Sequence, residues 1–153
     1  MNAFTRRTFL KSSLAAGAVA LGPFSRALGA NDDLRIAVVG CGGQGQHHIR
    51  CLRELSGVRI VAVCDPDRSV LDRLRNDFAD RSQEVALFTD VRRLLEDDSI
   101  DAITTATPDH WHVLVTVWAC QAGKDVYVEK PLSHNLWEGR QAVNAARRHE
   151  RIV

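Results

Sequence analysis

From residue 34 onward the apolar positions alternate between two spacings. Compact runs rich in β-branched residues occupy 34–39, 58–64, 85–88, 100–105 and 126–128, as buried parallel strands require. Between them the apolar residues recur at helical intervals. Ile49, Leu52 and Leu55 mark one face of a helix over 45–55, and Val70, Leu71, Leu74 and Phe78 mark a second. Shorter or later helices are predicted over 91–95, 110–122 and 135–150, and residues 151–153 read as the opening of a sixth strand. Strict alternation of strand and helix predicts an α/β fold: a doubly wound parallel sheet joined by right-handed crossovers.

Residues 1–29 carry a different signal. Thr5-Arg6-Arg7-Thr8-Phe9-Leu10-Lys11 resembles a twin-arginine export signal, and the apolar run that follows, residues 14–21, is too short for a bilayer about 30 Å thick. Ala27-Leu28-Gly29 places small residues where a signal peptidase reads, so cleavage is expected before Ala30. That cut would remove Arg6, Arg7, Lys11 and Arg26 but no acid, turning a formal charge of +1 into −3. We therefore read 1–29 as a signal peptide, 30–153 as one folded domain, and the periplasm as the destination.

Composition narrows the function. A chain of 153 residues suffices for one domain with a core but not for a typical two-domain enzyme. Near-neutral charge without a basic stripe excludes a nucleic-acid partner as the leading reading. Cys41, Cys51, Cys64 and Cys120 lack C-x-x-C spacing and are read as small buried hydrophobes rather than disulfide or metal partners.

Four stretches could carry chemistry, each at the end of an expected strand. Gly40-Cys41-Gly42-Gly43-Gln44-Gly45 follows the first strand and matches G-x-G-x-x-G, a turn that brings a pyrophosphate to a helix N-terminus. Asp65 closes the second strand at the spacing of a ribose-binding carboxylate, although Asp before Pro66 could equally open the next helix as its cap. A carboxylate there repels a 2′-phosphate, favouring NAD over NADP. Thr107-Pro108-Asp109-His110-Trp111-His112 follows the fourth strand. We expect Asp109 to cap the next helix, His112 to face the cofactor, Trp111 and Trp118 to pack, and no metal to bind. His47 and His48 read as solvent-facing or packing residues. Glu129-Lys130-Pro131 follows the fifth strand, and Lys130 is either a solvated turn lysine or a group that bonds a substrate hydroxyl and assists proton transfer.

Taken in this order, the glycine turn, Asp65, the Thr107-Pro108-…-His112 segment and Glu129-Lys130-Pro131 resemble the nucleotide-binding domain of the glucose-fructose oxidoreductase, inositol dehydrogenase and rhizopine-catabolism (Gfo/Idh/MocA) family. The likeness covers about residues 33–153. It implies a Rossmann fold and hydride transfer between NAD(P) and a sugar, cyclitol or polyol. It also implies pyrophosphate binding by Gly40, Cys41, Gly42, Gly43, Gln44 and Gly45, cofactor lining by Asp65, Thr107, Pro108, His112 and Glu129, and Lys130 as the catalytic lysine. Relatives continue into a C-terminal α/β substrate domain that supplies a proton-carrying histidine and is expected to be absent from this chain, which stops at the start of strand six. The expected function is thus the NAD-binding part of an exported oxidoreductase. An NAD-dependent glycoside hydrolase of the same family and a non-catalytic nucleotide-binding fragment are the alternatives. The expected partners are the twin-arginine export machinery and a small sugar or polyol, with no stable membrane span and with homo-oligomerisation compatible with a full-length protein.

Overall fold

The computed structural model describes residues 33–153; the twin-arginine motif and the expected cut before Ala30 lie outside the described residues. The elements run β1 (Leu34–Val39), α1 (Gly43–Arg53), β2 (Val58–Cys64), α2 (Arg68–Ala79), β3 (Ala86–Phe88), α3 (Val91–Leu95), β4 (Ala102–Thr105), α4 (Asp109–Gln121), β5 (Asp125–Val128) and α5 (Leu136–Arg148). All five strands are parallel, in the order β3-β2-β1-β4-β5. The chain reverses its direction of travel across the sheet between β1 and β4, so the crevice at their carboxyl ends is the topological switch point where such folds bind ligands.

Alternating side chains of β1 feed two cores. Val38 joins Ile49 of α1 with Leu71, Leu74 and Phe78 of α2 on one face. Ala37 and Val39 join Leu94, Leu95, Val115 and Ala119 from α3 and α4 on the other, with Ala145 and Ala146 of α5 packed against them. Helix α4 buries Val113, Val115, Thr116, Ala119 and Cys120, because the sheet lies on one side of it and α5 on the other. A helix covered on two sides must be apolar around most of its circumference. No helix among the described residues is long and apolar enough to cross a membrane.

Element ends depart from the expected ones for local reasons. Helix α1 begins at Gly43, not residue 45, since Gly40 at φ +79° completes the turn by itself and Gly42 serves as N-cap. It ends at Arg53, which leaves Leu55 54% exposed in the following turn instead of on the helix face. Helix α2 is capped by Asp67, whose side chain accepts from the Ser69 N–H, so the capping alternative for Asp65 is set aside. Asp109 is likewise the first residue of α4 and not its cap, a position held by Pro108. Asn135 caps α5 as a side-chain acceptor for the Glu138 N–H. Residues 151–153 form no strand, although the Ile152 carbonyl accepts from the Val126 N–H at 2.9 Å.

Below the sheet, opposite the switch point, Asp101 Oδ2 accepts from the Arg35 N–H at 2.9 Å and from Arg35 Nε at 2.8 Å, tying the start of β1 to the loop before β4. These bonds hold the Asp101 carboxyl below the usual carboxylate range. A depressed carboxylate stabilises the fold above its unfolded pKa of about 3.9 and loses that contribution as pH falls through its lower folded value. In thermal melts, Asp101→Asn should therefore be less stable than wild type at pH 7 by roughly 1.5–3 kcal/mol, the range for hydrogen bonds to charged groups. The gap should close on acidification below the unfolded value; a constant gap from pH 7 to pH 2 would rule out this assignment.

Candidate nucleotide-binding site

Two of the four glycines in the turn are required by backbone crowding. A Cβ on Gly40 would lie 2.8 Å from the Thr107 nitrogen and 2.9 Å from the Ala106 carbonyl carbon, so the end of β1 and the loop after β4 touch there. A Cβ on Gly45 would lie 1.9 Å from the Gly40 carbonyl oxygen, where α1 folds back onto its own entry turn. Gly42 and Gly43 differ: a Cβ at either meets no heavy atom within 4 Å, and both residues are exposed. Helix α1 has no side-chain cap and no acid in its first turn. Its leading N–H groups and positive dipole end thus face open space, the arrangement an anion needs.

Asp65 ties the ends of β1 and β2 together. One carboxylate oxygen accepts from the Cys41 N–H at 2.8 Å and the other from the Asp67 N–H at 2.9 Å. Each oxygen retains a lone pair for a further donor. Cys41 points inward, its thiol 3.5 Å from the Cys64 carbonyl, and burial pushes both the Cys41 and Cys64 thiols up to about 12. Thiols so rarely ionised are inert packing groups. Cys120 is also buried, but Cys51 is exposed beside His47, contrary to the expectation that all four cysteines are interior.

A cleft of about 680 Å³ opens over these groups. Gly40, Gly42 and Asp65 line it from β1 and β2, Thr107 and Pro108 from the loop after β4, and Asp90 and Arg92 from the start of α3. Trp111 and Trp118 also line it, with ring centroids 6.4 Å apart. Trp111 is 42% exposed, so these rings border the cleft in addition to packing on each other. Arg92 grips Asp90 through Nε at 3.0 Å and Nη2 at 2.6 Å, which lowers the Asp90 carboxyl to about 2. Nothing in the sequence pattern singled out Arg92 or Asp90, because only the β2–β3–α3 packing brings them beside Asp65.

The remaining expected site residues lie elsewhere. His112 does not face the cleft: it is 2% exposed, with Nδ1 at 2.7 Å from the Pro131 carbonyl and Nε2 at 2.8 Å from the Thr107 carbonyl. It braces the loops after β4 and β5 against each other, and the Lys130–Pro131 peptide between them is cis. Glu129 is bound to α1: its Oε1 accepts from Gln44 Nε2 at 2.7 Å and lies 2.8 Å from His48 Nε2. Lys130 is exposed just beyond it. His48 is the residue that sequence reasoning underrated. It sits one turn after Gly45 and one before Leu52 on the inward side of α1, a spacing that could have marked it as buried.

The glycines give a paired test. Gly45→Ala should lower thermal stability by roughly 1–3 kcal/mol, the usual cost of overpacking. Gly42→Ala should melt like wild type and bind NAD at least about tenfold more weakly, by losing about 1.4 kcal/mol of close backbone contact. Unchanged NAD affinity in Gly42→Ala, measured by calorimetry, would remove the pyrophosphate from this turn.

Comparison with known proteins agrees with this geometry. Residues 3–23 match the twin-arginine translocation pathway signal sequence, which indicates export by that route. The chain is 36% identical over 124 residues to inositol 2-dehydrogenase 1 of Saccharopolyspora erythraea, covering 73% of this chain and 36% of that protein. It is 30% identical over 125 residues to a glycosyl hydrolase family 109 protein of Shewanella baltica, covering 78% of this chain and 27% of that protein. The chain thus spans well under half the length of the curated relatives it matches. The crystal structure of myo-inositol 2-dehydrogenase from Lactobacillus plantarum superposes with a TM-score of 0.70 at 30% identity, over 77% of this chain and 34% of that one. Residues 34–153 match the oxidoreductase family with an NAD-binding Rossmann fold, and with the glycine turn, Asp65 and the parallel sheet in their places, this chain belongs to that Gfo/Idh/MocA family.

Proposed function

We propose that residues 30–153 form the NAD-binding part of a periplasmic oxidoreductase that moves hydride between nicotinamide and a sugar, cyclitol or polyol. In this reading residues 1–29 are the cleaved signal. The observation that carries it is the convergence of Gly40, Gly42, Asp65, Thr107 and Pro108 on one cleft at the switch point. The open space at Gly42 and Gly43 fits a pyrophosphate, which would rest against the first N–H groups of α1, from Gly43 through Gly45. Cys41 contributes its N–H to Asp65, and Asp65 in turn offers its free lone pairs to ribose hydroxyls. The negative charge of that carboxylate opposes a 2′-phosphate, so NAD is preferred over NADP.

When bound, the nicotinamide supplies the hydride acceptor or donor; the chain's own groups bind, orient and move protons. Thr107 and Pro108 border the cleft, Gln44 and Glu129 join α1 to the end of β5, and His112 holds the two loops in register. Lys130 is the catalytic residue of this proposal: its exposed ammonium can hydrogen-bond a substrate hydroxyl and, once a substrate excludes water around it, exchange a proton with that oxygen.

The similarity to a glycosyl hydrolase family 109 protein supports a second reading, glycosidic-bond cleavage on the same NAD-binding frame. Product analysis by the full-length gene product separates the two. Oxidation of a free polyol favours the dehydrogenase, and release of the aglycone from an aryl glycoside favours the hydrolase. Under either reading Asp65→Asn, which keeps one oxygen acceptor for the Cys41 N–H, should weaken NAD binding about tenfold or more, equivalent to about 1.4 kcal/mol. Lys130→Ala should bind NAD within about twofold of wild type and lose turnover by at least about a hundredfold, as loss of a general acid–base group does. Full turnover in Lys130→Ala would overturn the assignment of the lysine.

A further inference from the structure

His48 has no role in the binding scheme above, yet it is held more tightly than packing alone requires. The residue is 8% exposed, and its ring is bonded at both nitrogens. Nδ1 lies 2.7 Å from the Thr104 hydroxyl in β4, and Nε2 lies 2.8 Å from Glu129 Oε1 beyond β5. The Tyr127 ring stands edge-on to it at 5.6 Å and 77°. An ionised carboxylate only accepts, so Nε2 must carry the proton, and in the neutral ring the Thr104 hydroxyl donates to Nδ1.

Glu129 gathers donors from two directions. Its Oε1 takes the Gln44 amide and His48, both from α1, while its Oε2 accepts the backbone N–H of Lys130 at 3.1 Å. The Glu129 backbone N–H is itself donated to the Thr105 carbonyl at 3.1 Å. Lys130 therefore leaves β5 from a backbone whose direction is set by a carboxylate, and that carboxylate is set by α1. The same helix begins at the glycine turn.

We propose that His48 is a positioning residue: by donating Nε2–H to Glu129 it fixes the Lys130 backbone relative to the helix that carries the cofactor's pyrophosphate. This rests on the reading of Lys130 as the catalytic lysine. A histidine kept only to fill space would need the ring's shape but neither of its nitrogens in particular. A positioning histidine needs the donor at Nε2.

Amide side chains divide the two nitrogens. In His48→Gln the side-chain amide can reach the place of Nε2 and still donate to Glu129. In His48→Asn it reaches only the place of Nδ1. The first readout needs no variant: a long-range proton–nitrogen NMR spectrum of the full chain should show His48 protonated at Nε2. A bare Nε2 would overturn the proposal. Next, the Lys130 backbone amide resonance should shift in His48→Asn toward its position in Glu129→Gln and stay near wild type in His48→Gln. An unmoved Lys130 amide in a folded His48→Asn protein would also overturn it. With the full-length gene product, His48→Asn should lower kcat about ten- to hundredfold, as small misplacement of a reacting group does, with NAD affinity within about twofold and recovery in His48→Gln. Failure of the underlying reading looks different: the Lys130 amide moves as described, but Lys130→Ala turns over normally.

Discussion

Everything at the ligand edge depends on how closely two backbones approach at Gly40. The end of β1, the first turn of α1 and the loop after β4 meet there without room for a single Cβ, since one on Gly40 would press on Thr107 and Ala106 and one on Gly45 would collide with the Gly40 carbonyl. Backbone atoms packed this tightly leave the N-terminus of α1 no freedom to tilt. The uncapped N–H groups at the start of that helix follow directly on Gly42, which lines the cleft with Asp65. A looser turn would still be a turn, but its dipole would not be focused on one place.

Two carboxylates carry this rigidity outward. Asp65 links the glycine turn to the end of β2 through the Cys41 and Asp67 amides. Glu129 links α1 to the end of β5 through Gln44, His48 and the Lys130 amide, and those bonds, His48 first, draw its carboxyl down to about 2. Such a group stays ionised across the physiological range, and so keeps its three donors. Export by the twin-arginine route, indicated by residues 3–23, suits a protein whose cofactor site is assembled from interlocked parts of one folded domain.

Much of the fold was legible before any coordinates. The β-branched runs of β1 and β2 and the 71, 74, 78 stripe of α2 follow directly from the two hydrophobic periods, while helix ends shifted by a residue or two, the start of α1 because Gly40 completes the turn early. The placement of the glycine turn, Asp65 and Thr107-Pro108 at strand ends was equally readable, because the carboxyl edge of a parallel sheet is a place that chain order alone defines. His112 was misjudged for a reason of geometry. Its position after β4 is at the ligand edge, but the ring turns inward to two carbonyls, one of them on a loop nineteen residues away.

The sequence by itself determined the alternation of strand and helix, the glycine turn with Asp65 at its fixed spacing, and the export signal, since each is written in contiguous residues with its own local physics. Only the tertiary structure decided which polar groups face one another across the sheet. His48 is 81 residues from Glu129 and 56 from Thr104, and Asp90 and Arg92 reach the cleft beside Asp65 through the pairing of β2 with β3. Hydrogen bonds between distant elements depend on strand order and register, and those emerge from the packing of the whole sheet rather than from any one segment.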